Sequence, residues 1–144
     1  MEPKTLQFLS CLRENSREKL TEISKKTHIP ISTLFDMLKE MQGSIITKNT
    51  VLLNFHELGY QTHAQIFLKV SPESKDKLRN HLQLNQNVNN LYKINNDWDF
   101  MVETLHKNIR ELDGFMDSLN SKFKIERHQI HYLVDEIKRE GFVV

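Results

Sequence analysis

Apolar residues between Pro3 and Met41 recur at spacings of three and four, a rhythm that predicts three short helices. The first opens at Pro3, where a missing N–H costs nothing, and repeats Phe8, Leu9 and Leu12. A second follows Ser16 and turns Leu20 and Ile23 inward, with Ser24 small enough for another helix to cross closely. In the third, Leu34, Met37, Leu38 and Met41 form an i, i+3, i+4, i+7 stripe that faces the core. Between the last two lies THIPIS. Pro30 disfavours helix at Ile29 and removes a donor, so the chain turns there and Ile31 or Ser32 opens the next helix. Two helices joined in this way are either a plain helical hairpin or the unit that lays its second helix in a major groove. Gly43 stops the third helix, and SIITKNTVLLNF is β-branched enough to predict a strand and a wing.

The period changes after HELGY. THAQIFLKV alternates, placing Ala64, Ile66, Leu68 and Val70 on one side of a half-buried strand. Pro72 and Ser74 begin a helix whose Leu78 and Leu82 stand one turn apart. VNNLYKI and WDFMVETL predict two strands joined by a tight hairpin at Asn95, Asn96 and Asp97, and asparagine tolerates the positive φ of such an apex. Asn108 can cap a long helix with Ile109, Leu112, Met116, Leu119 and Phe123 on one face. A last strand near Glu126 to Val134 offers His128, Ile130, Tyr132 and Val134 to one side. The order strand, helix, strand, strand, helix, strand is ferredoxin-like, with two helices over one face of an antiparallel sheet. The opposite face carries Phe67, Met101, Leu105 and Leu133 and needs a partner, most simply a second copy in a homodimer. The expected fold class is therefore α+β. A winged helix-turn-helix occupies residues 1–48, a linker strand or hinge residues 49–60, and a ferredoxin-like βαββαβ domain residues 61–144.

Composition narrows the function. With 144 residues, 38% of them hydrophobic, the chain can bury one ordinary core or two small ones. A net charge of +1 means that any binding to nucleic acid must rest on the local placement of cations. Taking Leu34 as core, the outward arc of the third helix holds Ser32, Asp36, Lys39 and Glu40, with Thr33 and Phe35 at its borders. Ser32 and Thr33 can donate to phosphate or base edges, and Asp36 can accept from a cytosine amino group. Arg17, Lys19, Lys25 and Lys26 flank the second helix and Lys48 lies in the wing, where they either grip a phosphate backbone or merely solvate a surface.

Chemistry of other kinds is not indicated. His128 and His131 point to opposite faces of the proposed strand, so they make no metal pair, and the remaining histidines are scattered singly. The four glycines form no phosphate loop, and Cys11 has no base near it in sequence. No catalytic residue, cofactor or metal is expected. A single cysteine, no signal peptide and no long apolar run give a cytoplasmic, non-membrane expectation.

Three stretches in this order and spacing carry a family resemblance: LTEISKKTHIPISTLFDMLKEM, LGY at Leu58 to Tyr60, and NNDWDFMVE at the hairpin. Over nearly its whole length the chain resembles the Lrp/AsnC, or feast/famine, transcriptional regulators. The resemblance implies double-stranded DNA as partner and a RAM-type effector domain that dimerises and often builds octamers. It also implies a small effector such as an amino acid, held near the hairpin, and there Asn96 and Asp99 match the motif. Members usually carry arginines in mid recognition helix, where this chain has Asp36 and Met37; His28 replaces a common turn glycine, and Asn96 the hairpin glycine. Two other readings stand beside it. Asp36 and Glu40 fit an oligomeric effector sensor with weak or lost DNA binding, and the sirohaem decarboxylases share the two-domain plan but need a histidine and arginine cluster not visible here.

Overall fold

The structure, a computed structural model, describes residues 1–144. It divides into two compact units, Met1–Leu52 with Lys138–Val144, and Leu53–Ile137. No helix is long and apolar enough to cross a membrane.

The first unit is built on α1 (Pro3–Glu14), α2 (Leu20–Thr27) and α3 (Ile31–Met41). Its core is Phe8, Leu9, Ile23, Ile29, Leu34 and Met41, with Leu12, Leu20, Met37 and Leu38 packed at its edge, so the apolar stripes face inward as expected. Each side chain fully removed from water there contributes about 2 kcal/mol. The turn from α2 to α3 is set by side chains as much as by Pro30. Thr27 Oγ1 donates to the Ile23 carbonyl at 2.8 Å and accepts from the Ile29 N–H at 3.3 Å. Ser24 Oγ donates to the Ile29 carbonyl at 2.5 Å, so its small size serves a hydrogen bond inside the turn. His28 ends α2 at φ 60° and ψ 22°, donating its N–H to the Ser24 carbonyl. This left-handed position is the one that glycine fills without cost.

The strand and wing expected in SIITKNTVLLNF are a correction. An isolated bridge between Gln42 and Ile46 closes the turn at Gly43, and residues 47–54 have no regular secondary structure. A ladder needs a second extended segment to exchange N–H and C=O groups, and every regular element of the first unit is helical. Residues 138–144 join this unit through Arg13, which donates to the carbonyls of Glu140 at 3.0 Å and Phe142 at 3.1 Å.

In the second unit β1 (Thr62–Val70), α4 (Lys75–Leu84), β2 (Val88–Lys93), β3 (Phe100–His106), α5 (Ile109–Lys122) and β4 (Ile125–Tyr132) follow the expected order. They form an antiparallel sheet in the order β2-β3-β1-β4. Strict alternation along β1 buries Thr62, Ala64, Ile66, Leu68 and Val70. These pack with Phe100 and Val102 against Leu78 and Leu82 of α4 and Leu112, Phe115, Met116 and Leu119 of α5. Ile109 is a second correction: as the first residue of α5 it is exposed, and Phe115 completes the i, i+3, i+4, i+7 stripe instead. Asn108 caps α5 as expected, accepting from the Glu111 N–H at 2.9 Å. At the hairpin the left-handed residues are Asn96 (φ 59°) and Asp97 (φ 74°), so the turn is displaced by one residue from the pair of asparagines.

Because His28 is exposed in a left-handed conformation, the His28→Gly variant should unfold at higher temperature, with its first unit stabilised by about 1 kcal/mol. An unchanged or lower transition in a thermal melt would mean that the imidazole makes a contribution that offsets the backbone strain.

Candidate nucleic-acid interface and effector face

Packing fixes what α3 shows to solvent. With Leu34 and Met41 buried and Met37 and Leu38 half-buried, Ile31, Ser32, Thr33, Phe35, Asp36, Lys39 and Glu40 are all exposed. Pro30 caps the helix without a side-chain hydrogen bond, which leaves the first-turn N–H groups available to an acceptor outside. The face therefore mixes Ile31 and Phe35 with the hydroxyls of Ser32 and Thr33 and the charges of Asp36, Lys39 and Glu40. Across α2 and α3 three lysines stand against three acids.

The cations predicted to grip phosphate lie on other segments of the first unit. Arg17 is exposed in the α1–α2 turn, Lys25 and Lys26 close α2, and Lys48 lies beyond the Gln42–Ile46 bridge. Two are already engaged. Lys25 Nζ pairs with Glu22 at 3.4 Å and Lys26 Nζ with Glu18 at 2.5 Å. The hydrogen bond that Lys26 donates to the Glu18 carboxylate raises the Lys26 pKa. A phosphate would replace the exposed Glu22 carboxylate at little cost, because such surface pairs are weak, whereas the Glu18 carboxylate is largely sheltered and holds Lys26 more closely.

The hairpin of the second unit is tied down more firmly. Asp99 donates its N–H to the Leu68 carbonyl at 2.8 Å, and its carboxylate accepts from the Val70 N–H at 2.9 Å and pairs with Lys75 at 3.2 Å. Burial pushes the Asp99 carboxyl up, but the Val70 N–H and the Lys75 ammonium outweigh it and hold the group below the usual carboxylate range. Arg127 stacks over Trp98 at 4.5 Å and donates to the Asp97 carbonyl, while Trp98 rests against Phe67. Asn96 remains exposed at the apex. Of the two residues matched to an effector, one is thus an anchor of the fold and the other is open to solvent.

Register places His63, Gln65, Phe67, Met101, Glu103, Leu105, Tyr92, Gln129 and His131 on the face away from the helices. Its centre is a depression of about 210 Å³ lined by Gln65, Asn90, Tyr92, Met101, Glu103 and Leu133. Glu103 hydrogen-bonds to His63 and accepts from Asn90 at 2.5 Å. Burial raises its pKa, yet Asn90 and His63 more than offset this and hold it below the normal value. Nothing in the sequence marked Glu103; only the β1–β3 register brings it beside His63, forty residues away. On the helix side, His106 is fully buried, with neither ring nitrogen hydrogen-bonded and Phe115 tilted against it at 5.3 Å.

Residues 63–142 match the family model for the Lrp/AsnC ligand binding domain, and residues 4–43 match that for the IclR helix-turn-helix domain. The chain is similar to the HTH-type transcriptional regulator FL11 of Pyrococcus abyssi, 29% identical over 116 residues, covering 80% of this chain and 77% of that protein. An HTH-type transcriptional regulator of Pyrococcus furiosus is 24% identical over 135 residues, covering 93% of this chain and 91% of its own. In fold it matches a transcriptional regulator of Neisseria meningitidis crystallised with L-methionine, at TM-score 0.90 and 17% identity over 96% of this chain and 93% of the other. Escherichia coli AsnC superposes at TM-score 0.86 with 17% identity, covering 96% of each chain.

Two titrations follow from the buried charges. Asp99 contributes stability that is fully present above the unfolded carboxylate value and lost as pH falls through its lower folded value. Asp99→Asn should cost about 1–2 kcal/mol in urea unfolding at pH 7, with the gap to the parent closing below pH of about 4; a pH-independent gap would show that the charge is idle. Burial lowers the pKa of His106 against a weaker pull from Glu111, so its neutral form supports the fold above pH of about 6.5 and that support fades as pH falls. His106→Leu should flatten the loss of stability between pH of about 7 and 5, with His81, also lowered by burial, leaving a residual slope.

Proposed function

The chain belongs to the Lrp/AsnC family, and from that premise we propose that it binds double-stranded DNA through α2 and α3 and senses a small effector through its second unit. The observation that carries this reading is the outward face of α3, which presents Ser32, Thr33, Asp36 and Lys39 from a helix whose other side is locked into the core. Arg17, Lys25, Lys26 and Lys48 supply phosphate contacts, and Ser32, Thr33, Asp36 and Lys39 meet base edges. Asp36 can accept from the amino group of cytosine or adenine and repels the O6 and N7 acceptors of guanine.

A second copy covers the open sheet face, where Phe67 and Met101 are half-buried among polar neighbours while Leu105 is already buried within the chain, so that two heads act together. Further assembly to an octamer would multiply those contacts. The effector is an amino acid or a molecule of that size, a reading supported by the complex that the Neisseria regulator forms with L-methionine. Asn96 meets it at the hairpin apex, and Asp99 offers the lone pairs not used by Val70 and Lys75. A regulator of this kind acts in the cytoplasm.

The Lys25–Glu22 and Lys26–Glu18 pairs, with Asp36 and Glu40, favour a second reading in which the protein senses an effector but has lost DNA affinity. Fluorescence titration of labelled duplexes selected from the host genome separates the two. Binding at low salt that weakens steeply at moderate salt supports the regulator; no binding at either supports the sensor. The Lys25→Ala, Lys26→Ala double variant should reduce the slope of log K against log salt by about one per lysine on phosphate. Asp36→Arg should tighten binding roughly tenfold by offering guanine a bidentate donor, and an unchanged affinity would place α3 away from the groove.

A further inference from the structure

The least explained feature of α3 is apolar. Phe35 is 58% exposed and Ile31 47% exposed, one helical turn apart on the same side of the helix. Neither belongs to the core cluster of the first unit or packs at its edge. Phe35 stands three residues from Ser32 and four from Lys39, so its ring lies within the surface that those polar groups define. Single exposed apolar residues are common on protein surfaces. These two, however, occupy the middle and start of the helix assigned to the groove, and that helix carries no arginine to read guanine.

The major-groove floor is made of hydrogen-bonding groups apart from one apolar element, the 5-methyl of thymine. An aromatic ring carried into the groove loses hydration without return unless it lands on such a methyl. Asp36, beside it on the helix, favours amino donors and disfavours guanine. Resting on the DNA-binding reading above, we infer that Phe35, with Ile31 alongside, determines specificity by packing on thymine methyl groups, so that the protein selects steps rich in thymine.

Deoxyuridine tests this because it differs from thymidine only by the methyl. In the tightest duplex recovered by selection with the full chain, thymidines are replaced by deoxyuridine one position at a time, and affinities are measured at low salt. At one or two positions per half-site the parent protein should bind the deoxyuridine duplex roughly fourfold more weakly for each methyl contacted. Phe35→Ala should bind both duplexes equally while retaining the parent melting temperature. Equal binding of every duplex by the parent overturns the inference and leaves the DNA-binding reading intact. So does discrimination that survives in Phe35→Ala. Failure of the parent to bind any duplex at low salt overturns both.

Discussion

Thr27 both donates to the Ile23 carbonyl and accepts from the Ile29 N–H, so one buried hydroxyl ends α2 and begins the turn into α3. Ser24 closes the same turn from the other side, and His28 takes the left-handed conformation between them. With Ile29 pinned in the core, Pro30 must be extended and α3 must start at Ile31. That start sets the rotation of the whole helix. Leu34 and Met41 go inward, and Ser32, Phe35, Asp36 and Lys39 are left outside. The chemistry available to a groove is therefore a consequence of how a three-residue turn is hydrogen-bonded.

The second unit follows a comparable constraint on a larger scale. Alternation along β1 commits one set of side chains to α4 and α5 and leaves the other set without helical cover. The uncovered set is mixed: Phe67 and Met101 are apolar, while His63 and Glu103 are joined by a hydrogen bond. A polar pair inside an apolar face favours a partner that meets its remaining donors and acceptors. At the end of the sheet, Asp99 ties β1 to α4, and Arg127 and Trp98 brace the hairpin that presents Asn96. Rigid support beneath an exposed apex suits recognition of a small molecule.

Most of this architecture was legible from periodicity, because the helices and β1 each bury a single face. The stripe through Leu34 and Met41, the alternation from Ala64 to Val70 and the Asn108 cap are local facts that a local pattern can carry. The absence of a wing was not legible. The β-branched residues of SIITKNTVLLNF have strand propensity, but pairing depends on a neighbour that the first unit does not contain. Phe115 was passed over because the stripe was drawn through Ile109, at the first helical position. The engagement of Lys25, Lys26 and Asp99 was also hidden. For Lys26 and Asp99 it depends on Glu18, Val70 and Lys75 arriving at particular distances, which spacing does not encode, whereas Glu22 lies one helical turn before Lys25 and that pair was readable but passed over.

The first unit thus offers a well-oriented α3 of modest charge beside an α2 whose Lys25 and Lys26 are paired to carboxylates. Whether α3 is the part that meets the duplex is tested most directly by amide hydrogen exchange of the full chain, with and without a bound fragment. Slowed exchange concentrated in α2 and α3, the turn that carries Arg17 and the segment at Lys48, with β1 and β3 unchanged, is the predicted result. Protection elsewhere, with α3 exchanging as it does in the free protein, would contradict the account.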